Sequence, residues 1–585
     1  MKSGYRTPPR ARLWATIPAL CLAACGGGGG GANNGSGTPP PGGGSTPPPP
    51  LPPVNRAPLL VAANGEQRAI IGFPYDYDVT KSGRVFRDPD GDALTYEVTI
   101  APNSIDRCEL VLTDLRVTGV PNVEGGCDVT LIARDGRGGQ ATDFFTIRTR
   151  KNQPPNVAAP NPNQEVRPSS AIDYDATQGG QTFADADGHA LSYEVSILSA
   201  PPGFSVQGTR IVGMLSAPGF AKVKIEARDA FGGVTEDSFA FVVPSAINTR
   251  PTLPATPYIY EDAKLPLPNV LRRQFGGSRP FADTTPDSNE ITDAGATLGR
   301  VLFYDKRLSI TNTHSCGSCH EQSHGFASSQ AFPTGCVGIR TKRSPMALAD
   351  VRYNNQNRYF SDTRSGPLEE LALMPIQDRD ELGSSSQTKL EQELAAADYY
   401  PPLFAAAFGT SSVTSERIAL ALAQFLRSMI SYESKWDRAF LQVDPAPPPD
   451  PATVLTAQEQ RGFNVLIEQQ CFHCHMTPGF FSPWPDNNGL DEQFTDPGAG
   501  EGKFRPAALK NIAVSGPYMH DGRFATVREV IEHYATGVKD SPFVSPVVNF
   551  QRNPSEEDKA ALEAFFNTLT DEAFLTNPKF ADPFQ

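Results

Sequence analysis

The chain has 585 residues, 39% of them hydrophobic, and a formal charge of -14 from 51 basic and 65 acidic side chains. That length exceeds one core and divides into several domains, while the acidic balance argues against nucleic acid as a partner and suits either a small basic protein or, at least as well, solubility alone. Past the N-terminus, no apolar run is long enough to cross a bilayer.

In chain order, Lys2, Arg6, Arg10 and Arg12 precede a short apolar stretch and Leu22-Ala23-Ala24-Cys25, the layout of an export signal over residues 1–24. Its end resembles a bacterial lipoprotein signal. That resemblance implies a lipid on Cys25 and, with Gly26 after it rather than an acid, sorting to the outer membrane, on its periplasmic or its outer face. Residues 25–54 are almost wholly Gly, Pro, Ser and Asn, which bury nothing and read as a solvated tether.

A repeat follows. Phe86-Arg-Asp88-Pro-Asp90-Gly-Asp92-Ala-Leu94-Thr-Tyr96 recurs as Phe183-Ala-Asp185-Ala-Asp187-Gly-His189-Ala-Leu191-Ser-Tyr193, and Ala133-Arg-Asp135 recurs as Ala227-Arg-Asp229. A period of about a hundred residues is one domain used twice, over 55–150 and 151–250. Alternating stretches such as Leu94 to Ile100 and Lys222 to Ala227, bounded by Gly, Pro and Asp turns, predict antiparallel β-sandwich modules. Both resemble the cadherin-like or immunoglobulin-like modules of bacterial surface proteins. Asp88, Asp90 and Asp92 have the spacing of a calcium site; a plain Asp-Gly turn accounts for them equally well, and His189 replaces Asp92 in the second copy. Export permits disulfides, and Cys108 and Cys127, in one module, are expected to pair, leaving Cys336 single.

From about residue 255 the period becomes helical, with stripes at Ile418, Leu422, Phe425, Leu426 and Met429 and at Leu562, Phe565, Phe566 and Leu569 behind Ser555. Thr456 and Glu459 form a capping box for a helix leading into Cys471-Phe-His-Cys474-His475, which repeats the pattern of Cys316-Gly-Ser-Cys319-His320. CxxCH is the attachment signature of c-type haem, with the thiols on the porphyrin vinyl groups and His320 and His475 as iron ligands. No further CxxC pair is present to complete a zinc site. This half therefore reads as two mainly α-helical cytochrome c domains, 255–450 and 451–585, with two covalently bound haems c. A further capping box, Thr526 and Glu529, starts a helix whose face Val527, Val530, Ile531 and Tyr534 turns Tyr534 inward.

Several more motifs stand in order around the two attachment sites: Leu298-Gly-Arg-Val-Leu-Phe-Tyr-Asp305, Tyr359-Phe-Ser-Asp-Thr-Arg-Ser-Gly, Met374-Pro375-Ile-Gln-Asp-Arg-Asp-Glu381, Phe504-Arg-Pro-Ala-Ala-Leu-Lys-Asn511 and Gly516-Pro517-Tyr-Met519-His520. Together they resemble the bacterial di-haem cytochrome c peroxidase and MauG family from about Leu298 to Leu569. The resemblance implies that the first haem meets peroxide on an open face beneath the Glu381 carboxylate, with Pro375 in register, and that the second is a six-coordinate relay. It also implies Tyr534 as sixth ligand of the second haem, as in MauG-like members where the peroxidases have Met; Met519 is the rival. Phenolate favours the ferric state and thioether the ferrous. The family's calcium would fall near Ser344, Ser515 and Pro517, with Ser344 in place of the usual Asn. Three departures stand out. The loop His that closes the first haem in many peroxidases is missing, with Cys336 at about its spacing and His324 the only neighbour. Ser361 replaces the Trp between the haems, leaving Tyr359, Phe360 or a water to stand in, and Leu371 replaces the open-face Gln.

The reading that follows is a peroxidase. It reduces hydrogen peroxide at the His320 haem with electrons from a small donor such as a cytochrome c or cupredoxin, relayed through the His475 haem. Its rivals are a MauG-like oxidase of aromatic side chains in a partner protein and a surface electron carrier. A carboxylate over an open iron separates enzyme from carrier.

Overall fold

Alternation of small apolar and polar residues builds the first half. The computed structural model describes residues 54–102, 108–268, 271, 283–354, 356–384, 386–441, 450–475, 482, 484–549 and 553–585. The signal, Cys25 and the tether up to residue 53 lie outside the described residues. In the second repeat copy, Gly219–Arg228 alternates inward and outward, and Ala221, Val223, Ile225 and Ala227 are fully buried. It is the third strand of a four-stranded sheet ordered Gln164–Glu165, Val234–Val243, Gly219–Arg228, Ser192–Ser199. A three-stranded sheet of Ala171–Asp175, Arg210–Met214 and Ser205–Gln207 supplies Ile172 and Ile211 to the same core.

The expected antiparallel pairing fails at one edge of each module. Gln164–Glu165 runs parallel to Phe241–Val242, as Gln67–Ile70 of the first copy does to Ile147–Arg150. In each case a short entering segment lies along the last strand and covers its edge. Of the first copy, Leu59–Leu60 pairs with Phe86–Arg87 and Val111–Thr113 with Arg116–Gly119. Cys108 and Cys127 are buried and joined as a disulfide, their Cα atoms 5.4 Å apart.

In the second half, two helix pairs repeat one device. Thr292 Oγ1 accepts from Gly295 N at 2.9 Å and caps helix Asp293–Tyr304. This helix crosses Ser415–Ser428 so closely that a Cβ on Gly299 would stand 2.0 Å from Ala421 O. Helix Ala457–Glu468, opened by the expected Thr456–Glu459 box, crosses Glu556–Asn567 in the same way, where a Cβ on Gly462 would stand 2.0 Å from Ala561 O. In each pair the first helix leads into a CxxCH turn.

The two cores do not follow the linear limits near residue 450. Helix Lys435–Phe440 packs Trp436 against Leu466 and Phe565 of the second core, whereas Phe574, Leu575 and Phe580 return to the first beside Phe326 and Phe425. Burial of these large rings decides where each segment sits. Among the described residues, no helix is long and apolar enough to cross a membrane.

Candidate functional site

Both CxxCH motifs form a single tight turn, over Cys316–Ser318 and Cys471–His473. His320 N donates to Cys316 O at 3.0 Å and His475 N to Cys471 O at 2.9 Å, so each motif puts two thiols and an imidazole on one wall. None of the four thiols is in a disulfide, and burial pushes them up, to about 12 for Cys316 and Cys471 and about 11 for Cys319 and Cys474. His320 Nδ1 lies 2.8 Å from Phe326 O, which fixes the ring and leaves Nε2 for a metal.

Each turn opens on a cavity. The first, of about 620 Å³, is walled by Cys316, Cys319, His320, Pro375, Leu371 and Glu381. The second, of about 260 Å³, is walled by Cys471, Cys474, His475, Met519 and Tyr534. Paired thiols beside an imidazole at the rim of a cofactor-sized cavity fit a covalently held haem in both places.

Glu381 stands half-buried in the first cavity. Burial, with Asp378 and Asp380 nearby, pushes its carboxyl up to about 7. Pro375 opens the short helix Met374–Gln377 on the same wall. Cys336 does not reach this cavity: it is buried on the far side of the Glu381 loop, and its thiol donates to Leu382 O at 3.2 Å. His324 sits in a separate turn, 3.4 Å from Glu321.

In the second cavity the two rival ligands converge. Asn488 Nδ2 donates to Tyr534 Oη at 3.3 Å and lies 3.5 Å from Met519 Sδ. The expected helix Val527–Glu532 passes into a π-turn, His533–Gly537, at the residue before Tyr534. Met519 holds a φ of +75°, rare for a side chain of its size. Ser344, Ser515 and Pro517 line this same cavity.

Between the cavities stands a wall shared by both: Ser344, Pro345, Met346, Ala347, Ser361 and Arg505. Ser361, the position the resemblance gives to the inter-haem Trp, lines both cavities. Tyr359 and Phe360 face the first cavity alone. The residue that sequence reasoning missed is Arg505. It donates to Phe360 O at 3.4 Å and touches Met346 Sδ at 3.4 Å, and burial holds its guanidinium down at about 10. It has no carboxylate partner among the described residues, so a haem propionate matches what it lacks. His314, on the wall of the first cavity, was missed as well. Both fall within or beside quoted motifs, but only the fold turns them toward the cavities.

In the β-modules, Asp88, Asp90 and Asp92 gather around one point, as do Asp185, His189 and Asp229 in the second copy. Asp90 is engaged with Arg56 at 2.7 Å.

Comparison with known proteins agrees with this geometry. Residues 293–444 match the family model for di-haem cytochrome c peroxidase. Methylamine utilization protein MauG of Methylorubrum extorquens is 30% identical over 334 residues, which cover 53% of this chain and 87% of that protein. Cytochrome c551 peroxidase of Nitrosomonas europaea is 28% identical over 305 residues, 50% of this chain and 83% of the relative. The crystal structure of a MauG-like protein associated with microbial copper homeostasis aligns at 28% identity and a TM-score of 0.48, covering 54% of this chain and all of that one. By its two attachment motifs, its helical cores and its extent of similarity to MauG, the chain belongs to the di-haem cytochrome c peroxidase and MauG family.

Proposed function

We propose that this oxidoreductase reduces hydrogen peroxide in the cavity walled by His320, with electrons that enter from a small donor protein at the His475 site. The observation that carries this reading is the position of Glu381, a carboxyl held near neutral proton affinity on the wall facing the Cys316–His320 turn. Haem iron, when held by His320, supplies oxygen coordination and electrons. Glu381 takes the proton from the inner oxygen of peroxide and returns it to the outer one, which leaves as water. Two electrons and two further protons complete the reduction to two waters. Pro375 and Leu371 keep that face apolar, and Cys336 and His324 stand clear of it. The wall of Ser361, Met346 and Arg505 carries the electron path in place of the usual Trp.

The experiment is His320→Gly. Peroxide turnover should disappear while the spectrum of the second haem stays intact; retained turnover would assign the chemistry to the other haem.

Tyr534 favours a second reading, a MauG-like oxidase that withdraws electrons from aromatic side chains of a partner protein. Its hydroxyl shares Asn488 with Met519 at the second cavity, and EPR of the oxidised protein separates His/Tyr from His/Met ligation. We further propose export with a lipid anchor at Cys25, and calcium at Asp88, Asp90 and Asp92 and at Ser344, Ser515 and Pro517.

A further inference from the structure

A sandwich module that served only as a spacer would need no bonds to the segment that carries Glu381. The second module makes several. Asp237, its side chain fully buried, accepts from the backbone and side-chain amides of Asn161 at 2.8 and 2.9 Å through Oδ2. Its other oxygen, Oδ1, pairs with the guanidinium of Arg379, which also donates to Asn161 O at 3.2 Å. Asn163 bridges the two domains: Nδ2 donates to Arg379 O at 2.9 Å, while Oδ1 accepts from Ala240 N at 2.9 Å. Gly383 lies against the same amide, where a Cβ would stand 2.7 Å from Asn163 Nδ2.

The haem domain itself fixes the segment too. Cys336 N donates to Glu381 O at 2.9 Å and Ile310 N to Leu382 O at 2.9 Å. Cys336, Val337 and Ile310 close an apolar seam with Ala240 and Val242 of the module. Residues 379–383 are thus held at three carbonyls and one guanidinium, with Glu381 in the middle.

The seam alone would dock the module, and a buried ion pair adds little net stability over apolar contact. What Arg379 adds is fixed geometry, since one nitrogen, Nη1, meets both Asp237 Oδ1 and Asn161 O. An Asn-Asp pair of the same kind, Asn64 with Asp143 at 2.9 and 2.8 Å, occurs in the first copy. The pair therefore belongs to the module itself, and in the second copy it is also turned to Arg379. We propose that the second β-module is a positioning element of the peroxide site: Asp237 and Asn163 hold Arg379, and through it set where the Glu381 carboxylate stands. This rests on the reading of Glu381 as the proton carrier.

The test uses the full-length holoprotein. Asp237→Asn and Asn163→Ala should each slow the reaction with peroxide about ten- to a hundredfold, with both haem absorption spectra unchanged. Lys222→Ala, which removes a bond to Gly338 O across the same seam, should leave the rate as it is. Arg379→Lys should recover most of the rate that Arg379→Met loses, because the charge facing Asp237 is kept. Wild-type rates in Asp237→Asn and Asn163→Ala would overturn the proposal. Should either variant lose its haem spectrum, equal rates for Arg379→Lys and Arg379→Met would overturn it. A wild-type rate in Glu381→Gln would instead defeat the reading of Glu381 on which the proposal stands; a slow Glu381→Gln beside a normal Asp237→Asn defeats the positioning role alone.

Discussion

At Glu381 the direction of the pH dependence follows from burial. Loss of water around the carboxyl, reinforced by Asp378, favours the neutral form and raises its proton affinity to about 7. Peroxide must meet the ionised form, so the rate constant should rise as pH climbs through about 7 and fall below it. Glu381→Gln should lower it about a hundredfold or more above pH 7, as loss of a general base does, and the gap should narrow as pH falls and the wild-type carboxyl is protonated; stopped-flow rates that ignore both pH and the substitution would remove Glu381 from the chemistry. Tyr534 sets the other residue-scale expectation. If its oxygen ligates the second iron, Tyr534→Met exchanges an anionic donor for a thioether, raising the reduction potential enough for ascorbate to reduce that haem. An unchanged potential in a redox titration would leave Tyr534 a cavity-wall residue and give the ligand role to Met519. Cys316, Cys319, His320, Cys471, Cys474 and His475 were legible in the sequence because their chemistry is local, five consecutive residues in one turn. Arg505 was not, since its meaning lies in a missing counter-charge that only three-dimensional neighbours reveal.

The elements show the same division. Capping boxes at Thr456 and Thr526 were readable because both partners lie within one turn. The π-turn at His533 was not, since an extra residue in a helix leaves no mark on side-chain chemistry. Nor was the parallel edge pairing in each β-module, which depends on contacts between segments some eighty residues apart. The repeated Asp loops gain a definite form. Asp88 Oδ1 accepts from the amides of Asp90 at 2.8 Å and Asp92 at 3.1 Å, while Asp88 Oδ2, Asp92 Oδ2 and Asn55 Oδ1 are buried without a donor. Unpaired buried oxygens are costly, and a hard cation satisfies them. Calcium should therefore bind and raise the thermal midpoint of the module, and Asp88→Asn should abolish the effect. A calorimetric titration without heat would leave the loop a simple turn.

On the scale of the whole molecule, the acidic balance and the layout of residues 1–54 bear on placement. If Cys25 carries lipid, Cys25→Ser should move the protein from the membrane fraction to the soluble periplasmic extract; equal fractionation of both forms would rule the anchor out. Domain order was plain from composition and repeats, but the exchange of segments between the haem cores was not, because Trp436 and Phe580 read equally well in either neighbourhood. That exchange bears on how the protein is made. Gln322 Nε2, two residues past the first attachment motif, donates to Phe574 O at 3.2 Å and Asn577 O at 3.0 Å, and Tyr304 Oη to Phe580 O at 2.7 Å. The wall behind the first haem is therefore completed by chain that emerges more than 250 residues after its cysteines. If the chain is exported from its N-terminus, as proposed, Cys316 and Cys319 enter the oxidising compartment long before the core that shelters them can close, and haem ligation has an extended interval in which to reach both thiols ahead of folding.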